Sequence, residues 1–229
     1  MKIIKSLMII LLFSPLAPGA RAADPGDYRP HPHDIAQLEE LPPIGKWMLT
    51  PDLEPAHWLG QLVRGKKLRE PINVIVIDRA SSNENEAKQR FLQACMKAGF
   101  PLRRGHSSGY WAWIGEGLEK QFPDKQSHAF SDQPFEINNN HGRFFGPYHH
   151  KNYYLFVGAL SREKVDPLAK IKHQYVSFNW ARDRFAAALD ELTQYHITGF
   201  INLNNAIIAN PDTTTGDHDQ MAVLLTADQ

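Results

Sequence analysis

The stretch NNNHGRFFGPYHH, Asn138 to His150, holds three histidines and an arginine within thirteen residues. If HGRFFG is a strand, alternation puts His141, Arg143 and Phe145 on one face and Gly142 and Phe144 on the other. An imidazole beside a guanidinium suits phosphate or carboxylate, because arginine offers a planar fork of donors and histidine a donor or a titrating proton. A second basic group lies at His173 and in the run NWARDRF. There Arg182 and Arg184 fall in the first turn or two of an expected helix, where the helix dipole favours anions. That placement costs a few tenths of a kcal/mol unless Asp183, another carboxylate or a bound anion lies nearby. Were the two groups to meet, His141, Arg143, His173 and Arg182 would form an anion-recognising cleft, with Asp183 or Asp219 orienting a histidine. The plain alternative makes His141 a half-exposed strand residue and pairs Arg143 with Asp183 across the sheet. Both readings stand on the sequence.

Other chemistries find less support. His149 and His150 are adjacent and point in opposite directions on a strand, so zinc would need His128, His141 or His173 as well, in a spacing that matches no established pattern. His31, His33 and Asp34 could clip a metal, but HPHD also reads as a polar turn that caps a short helix through Asp34. No metal and no cofactor is expected. Ser107, Ser161 and Ser177 lie outside any Gly-x-Ser-x-Gly elbow, and no carboxylate pair for glycoside cleavage is marked out. Cys95, the single cysteine, sits among Phe91, Leu92, Ala94 and Ala98 and reads as a buried, inert thiol.

The elements that must position these groups follow from pattern. Residues 1–22 carry Lys2 and Lys5, an apolar run from Leu7 to Phe13 and Ala20-Arg21-Ala22, the layout of a cleavable secretory signal. Ser14, Pro15 and Pro18 break that run, so no stable membrane span is expected after cleavage. Residues 23–70 are punctuated by prolines and read as an extended arm, with a short helix near Ile35, Leu38 and Leu41 and another turn or two at HWLGQLV. Trp47 and Trp58 are expected to pin the arm to the body, residues 71–229. INVIVID is a nearly continuous apolar strand, as expected when both faces are covered. A helix follows from a cap at Ser81, Ser82 or Asn83 to Ala98, stopped by Gly99 and Pro101. RRGHSSGYWAWIGEGLEKQFPD resists assignment. HGRFFG and YYLFVGALS form an antiparallel hairpin, a second helix runs from about Trp180 to Tyr195 with Asn179 as its cap, and GFINLNNAII and DQMAVLLTA close the chain as strands. The expected architecture is a two-layer α+β domain, a mixed sheet of five or six strands with two main helices packed on it and the arm laid across an edge or face.

Export removes three of 25 basic residues, leaving 22 against 25 acidic ones. That balance gives no reason to expect nucleic acid as a partner. Taken together, INVIVIDRA with its helix, NHGRFFGP, LFVGALSREK, KHQYVSFNWARDRF and NPDTTTGDHDQMAVLLT resemble the LssY C-terminal domain family, over about residues 71–225. In that family an acidic residue directly precedes the Arg-Asp pair; here Ala181 stands in its place, which argues against a metal centre with carboxylate ligands. The resemblance implies a bacterial envelope-associated domain of uncharacterised activity, some of whose members are fused to membrane-embedded phosphatase-like or transporter-like domains. The function expected is that of a periplasmic or secreted, non-catalytic binding or accessory protein with an anion-recognising cleft. Its partner would be a phosphate- or carboxylate-bearing envelope ligand or a membrane enzyme. The alternative is a hydrolase acting on a phosphorylated or acylated envelope compound, with His141 or His173 as acid or base.

Overall fold

The computed structural model describes residues 25–170 and 172–228. The expected secretory signal lies outside the described residues. In chain order the elements are β1 (Ile35–Ala36), β2 (Ile44–Gly45), β3 (His57–Val63), β4 (Lys66–Arg69), β5 (Val74–Asp78), α1 (Glu84–Lys97), β6 (Leu102–Arg104), β7 (Trp111–Ile114), β8 (Gly117–Phe122) and β9 (His128–Ser131). They continue with β10 (Asn139–His150), β11 (Tyr153–Val165), β12 (His173–Ser177), α2 (Phe178–Leu192), β13 (His196–Asn202), β14 (Thr213–Thr214) and β15 (Met221–Ala227).

Every residue of β5 is buried, and alternation sorts them onto two cores. Val74 and Val76 join Phe144, Phe156 and Leu160 under the helices, where Phe91 and Ala94 of α1 and Phe185 and Leu189 of α2 pack. Ile75 and Ile77 face the other way, with Phe145, Val157 and Ala159, and there the arm covers them through Ala36, Ile44, Met48 and Ala56. The arm is therefore the third layer of the molecule. Asn205 fastens it, donating to the Lys46 carbonyl at 3.1 Å and to that of Ile72 at 2.9 Å.

The sheet corrects the expected architecture. Strands account for 42% of the structure against 16% helix, so the protein is mostly β, and a sheet of five or six strands does not describe it. One sheet has twelve strands, its main path running β1-β2-β7-β8-β10-β11-β5-β15-β13, with β12 on β11, β9 on β10 and β6 on β9. A second sheet of three strands, β14-β4-β3, flanks it. Most pairings are antiparallel; β15 runs parallel to β5, and β14 to β4. The extra strands are those that periodicity could not reveal. β1 and β2 are two residues long, and β6 has three. HWLGQLV, expected as a turn or two of helix, is β3, which forms a hairpin with β4 through Arg64 and Gly65, both at positive φ. The short helix expected near Ile35 is a 3₁₀ turn at Pro32–Asp34 leading into β1.

Both long helices form where the apolar stripe predicts. Asn83 caps α1, its side chain accepting from the Glu86 amide at 3.0 Å. α2 starts two residues earlier than the sequence suggests, because Ser177 rather than Asn179 is the cap, its hydroxyl accepting from the Trp180 amide at 2.8 Å. Among the described residues no helix is long and apolar enough to cross a membrane.

Candidate functional site

Strand β10 alternates as its sequence requires. Phe144 enters the core under the helices and Phe145 the core under the arm, so His141 and Arg143 share the arm-covered face. Both side chains line a cavity of about 210 Å³, closed by Trp58 from β3, Glu70 from the end of the arm, Glu163 from β11 and the 105–110 loop.

Arg143 is 5% exposed, and a guanidinium so buried must be paired. Its Nε donates to the Ser107 carbonyl at 3.1 Å and one terminal nitrogen to the Ser107 hydroxyl at 2.9 Å. The other terminal nitrogen meets Glu70 only loosely, at 3.9 Å, and the guanidinium lies 4.6 Å above the Tyr110 ring. Burial pushes the Glu70 carboxyl up from the ordinary range, and Arg143 opposes the shift.

His141 belongs to a hydrogen-bonded row. Asn139 donates its amide nitrogen to Glu163 at 2.5 Å and to the Ile137 carbonyl at 2.9 Å, which leaves its amide oxygen facing His141 Nδ1 at 2.8 Å. Nδ1 therefore carries the proton and Nε2 accepts, with the Ser161 hydroxyl 3.5 Å away. Burial, reinforced by His106, Arg143 and His173, holds His141 well below the usual histidine range, so the ring is neutral. Ser161 is buried and does not line the cavity, so it offers no accessible nucleophile. Burial likewise raises Glu163, although Asn139 and His173 pull it back. His173 lies just behind the wall: its Nδ1 is 3.2 Å from Glu163 and its ring stacks on Phe135 at 4.0 Å.

His106 and Trp58 complete the lining. The His106 ring sits 4.6 Å from that of His141, and Trp58 lies 5.5 Å from His141 on another side. Burial, with Arg143, His173 and His128, lowers His106 to about 4. Trp58 Nε1 and His106 Nε2 are buried without a hydrogen-bond partner. Each such group costs about 1–3 kcal/mol unless a ligand or solvent molecule satisfies it. With both imidazoles neutral, the fixed charges are one guanidinium against two carboxyls.

Arg182, Asp183 and Asp219 lie elsewhere. The Arg182 guanidinium is 4% exposed, grips Asp219 with two nitrogens at 2.6 and 3.1 Å, takes Asp183 at 2.7 Å and donates to the Met221 carbonyl at 2.8 Å. These contacts raise Arg182 further although burial opposes them, and the same bonds lower Asp219 against its own burial. α2 does reach the cavity wall, since Phe178 packs with Trp58 and Leu68. One turn later Arg182 has turned away to Asp219 and is not part of the lining. The structure therefore joins His141, Arg143 and, through Glu163, His173, and separates them from the other three. Arg143 takes Glu70 as its carboxylate rather than Asp183.

Sequence reasoning missed Trp58 as a site residue, Glu70, His106 and Glu163. Glu163 could have been found: it stands two positions after Ser161, the cross-strand partner of His141, and so on the same face. Glu70 and His106 come from loop and strand ends with no periodicity to mark them. The His31–Asp34 turn is capped by the His31 ring, which accepts from the His33 amide at 3.3 Å, while Asp34 accepts from the Trp47 indole at 2.6 Å. That bond pins Trp47 within the arm. Cys95 is fully buried, and burial raises its thiol well above the ordinary value.

Comparison with models of protein families, with characterised proteins and with solved structures gives no match.

Proposed function

We propose that this chain is an exported accessory protein, akin to LssY C-terminal domains, that binds a small ligand bearing one carboxylate in the cavity around Arg143. The single observation behind this reading is a buried guanidinium whose one carboxylate contact among the described residues is loose, in a cavity where Trp58 Nε1 and His106 Nε2 lack partners. Charge narrows the ligand. Glu70 and Glu163 would oppose a doubly charged phosphate, whereas a single carboxylate can displace Glu70 from Arg143. Export rests on residues 1–22, and the association with an envelope enzyme on the family resemblance.

Calorimetric titration with a panel of small carboxylates and with inorganic phosphate tests the reading. A carboxylate is expected to bind wild-type protein, to weaken by about tenfold or more in Arg143→Gln, as expected for a lost charge-assisted hydrogen bond, and to bind Arg182→Gln unchanged. Equal losses in the two variants, both folded, would mean that the two arginines serve one cleft after all.

A hydrolase is the second reading, favoured by one observation: two buried carboxyls, Glu70 and Glu163, both raised by burial, line the same cavity. A raised carboxyl can stay protonated near neutral pH and act as a general acid. Turnover of aryl esters, aryl glycosides or phosphoesters, abolished in Glu163→Gln, would establish it over the binding reading.

A further inference from the structure

We infer that the ligand is a single six-membered sugar ring carrying a carboxylate, a hexuronate unit, a claim that rests on the carboxylate reading above. Four features of the cavity lead there. Its volume, about 210 Å³, falls below the roughly 300–1,000 Å³ of sites for drug-sized molecules, so it fits one ring rather than a chain. Its walls include the aromatic rings of Trp58, Tyr110 and Phe135. Such rings cover the C–H faces of a sugar and cost little entropy to hold in place.

The polar groups supply the remaining argument. Glu163 has one partner on each carboxylate oxygen, Asn139 at 2.5 Å and His173 at 3.2 Å, so each oxygen keeps a further lone pair towards the cavity; a simple carboxylate has no donor for it, while sugar hydroxyls do. Trp58 Nε1 is a donor without an acceptor, and a hydroxyl oxygen supplies one. An apolar ring would leave Arg143, Glu70 and Glu163 facing hydrocarbon, which disfavours it. A ligand with hydroxyls around its rim, apolar faces and one carboxylate meets all of these groups at once. Neutral His106, with Nε2 unpaired, adds a further hydroxyl partner.

Calorimetry with gluco-, galacto- and manno-configured hexuronates, the matching hexoses and acetate decides the matter. At least one hexuronate is expected to bind about tenfold or more tighter than both acetate and its own hexose. Glu163→Gln, checked by its melting curve because Asn139 and His173 also bond this carboxylate, is expected to weaken hexuronate about tenfold relative to acetate, which has no hydroxyl to give it. A trisaccharide of the best unit separates a free sugar from a chain terminus by whether it still binds. Acetate binding as tightly as every hexuronate would overturn the sugar inference and leave the carboxylate reading intact. A hexose binding as well as its hexuronate, insensitive to Arg143→Gln, would keep the ring and overturn the carboxylate. No binding by any of them would sink both.

Discussion

Arg143 and Arg182 are both buried guanidiniums, and their surroundings compensate the charge differently. Arg182 has two carboxylates and a carbonyl at hydrogen-bond distance, a saturated arrangement that leaves nothing for a ligand. Arg143 has one residue's carbonyl and hydroxyl, an aromatic face and a distant carboxylate. Arg182→Met is therefore expected to act on stability, by about 1–3 kcal/mol, because it removes the charge-assisted hydrogen bonds to Asp183 and Asp219, acids that are themselves partly exposed, and urea melts would show it. The imidazoles make a pH prediction. His106 titrates near 4 in the folded protein against 6.5 unfolded, so below pH 6.5 the unfolded chain binds more protons and stability falls as the pH drops toward 4. Raised Glu70 and Glu163 act in the opposite sense, gaining protons in the folded state above the usual carboxyl value, while His141 and His218, also lowered by burial, act in the same sense as His106. Comparison with His106→Gln isolates the histidine. The variant's stability deficit at pH 7 is expected to shrink by on the order of 2 kcal/mol at pH 4.5; a deficit constant across that range would mean His106 is not buried neutral.

At the scale of elements, Gly142 and Gly158 make room on the helix-facing side of the β10–β11 pair for the side chains of their cross-strand partners, Leu160 and Phe144. A Cβ at Gly158 would come within 2.5 Å of the Phe144 ring, which is itself locked among Phe91, Phe130 and Phe185. Gly158→Ala is expected to cost about 1–3 kcal/mol in a denaturant melt, with ligand binding retained, since the cavity is on the other face of the sheet. The start of α2 offers a second test. Ser177 caps it while donating to Asp217 at 2.5 Å, and Asp217 also accepts from the Phe178 amide at 2.8 Å. Ser177→Ala is expected to lose about 1 kcal/mol. Much of this level was legible in the sequence. Apolar spacing gave both helices to within three residues, a nearly continuous apolar run gave β5, and strict alternation gave the HGRFFG part of β10 and the shared face of His141 and Arg143. What was not legible came from partners far away in sequence. Strands of two to four residues carry no period of their own, and HWLGQLV became a strand only because KKLR lies beside it. Likewise Arg182 looked unpaired at a helix start because Asp219, 37 residues on, comes beside it only in the fold.

Across the whole molecule, the arm matters more than its proline content suggests. It covers Ile75, Ile77 and Val157 on one face of the sheet and brings Trp58 and Glu70 to the cavity, so the site is assembled from both sides of the expected boundary at residue 70. Arm and body are therefore expected to unfold together, with circular dichroism and tryptophan fluorescence changing at the same denaturant concentration. A chain beginning at residue 71 should be unfolded or aggregated, because a full sheet face would be exposed. The central claim is that the unpaired nitrogens around Arg143 are a ligand's contacts. Nuclear magnetic resonance of the Trp58 indole N–H and the His106 ring during titration with the tightest-binding hexuronate tests it most directly. Both resonances are expected to shift with saturation while the exposed Trp180 indole stays put. Trp58 and His106 signals unmoved at saturating ligand, with shifts gathered around Arg182 and Asp219 instead, would contradict it.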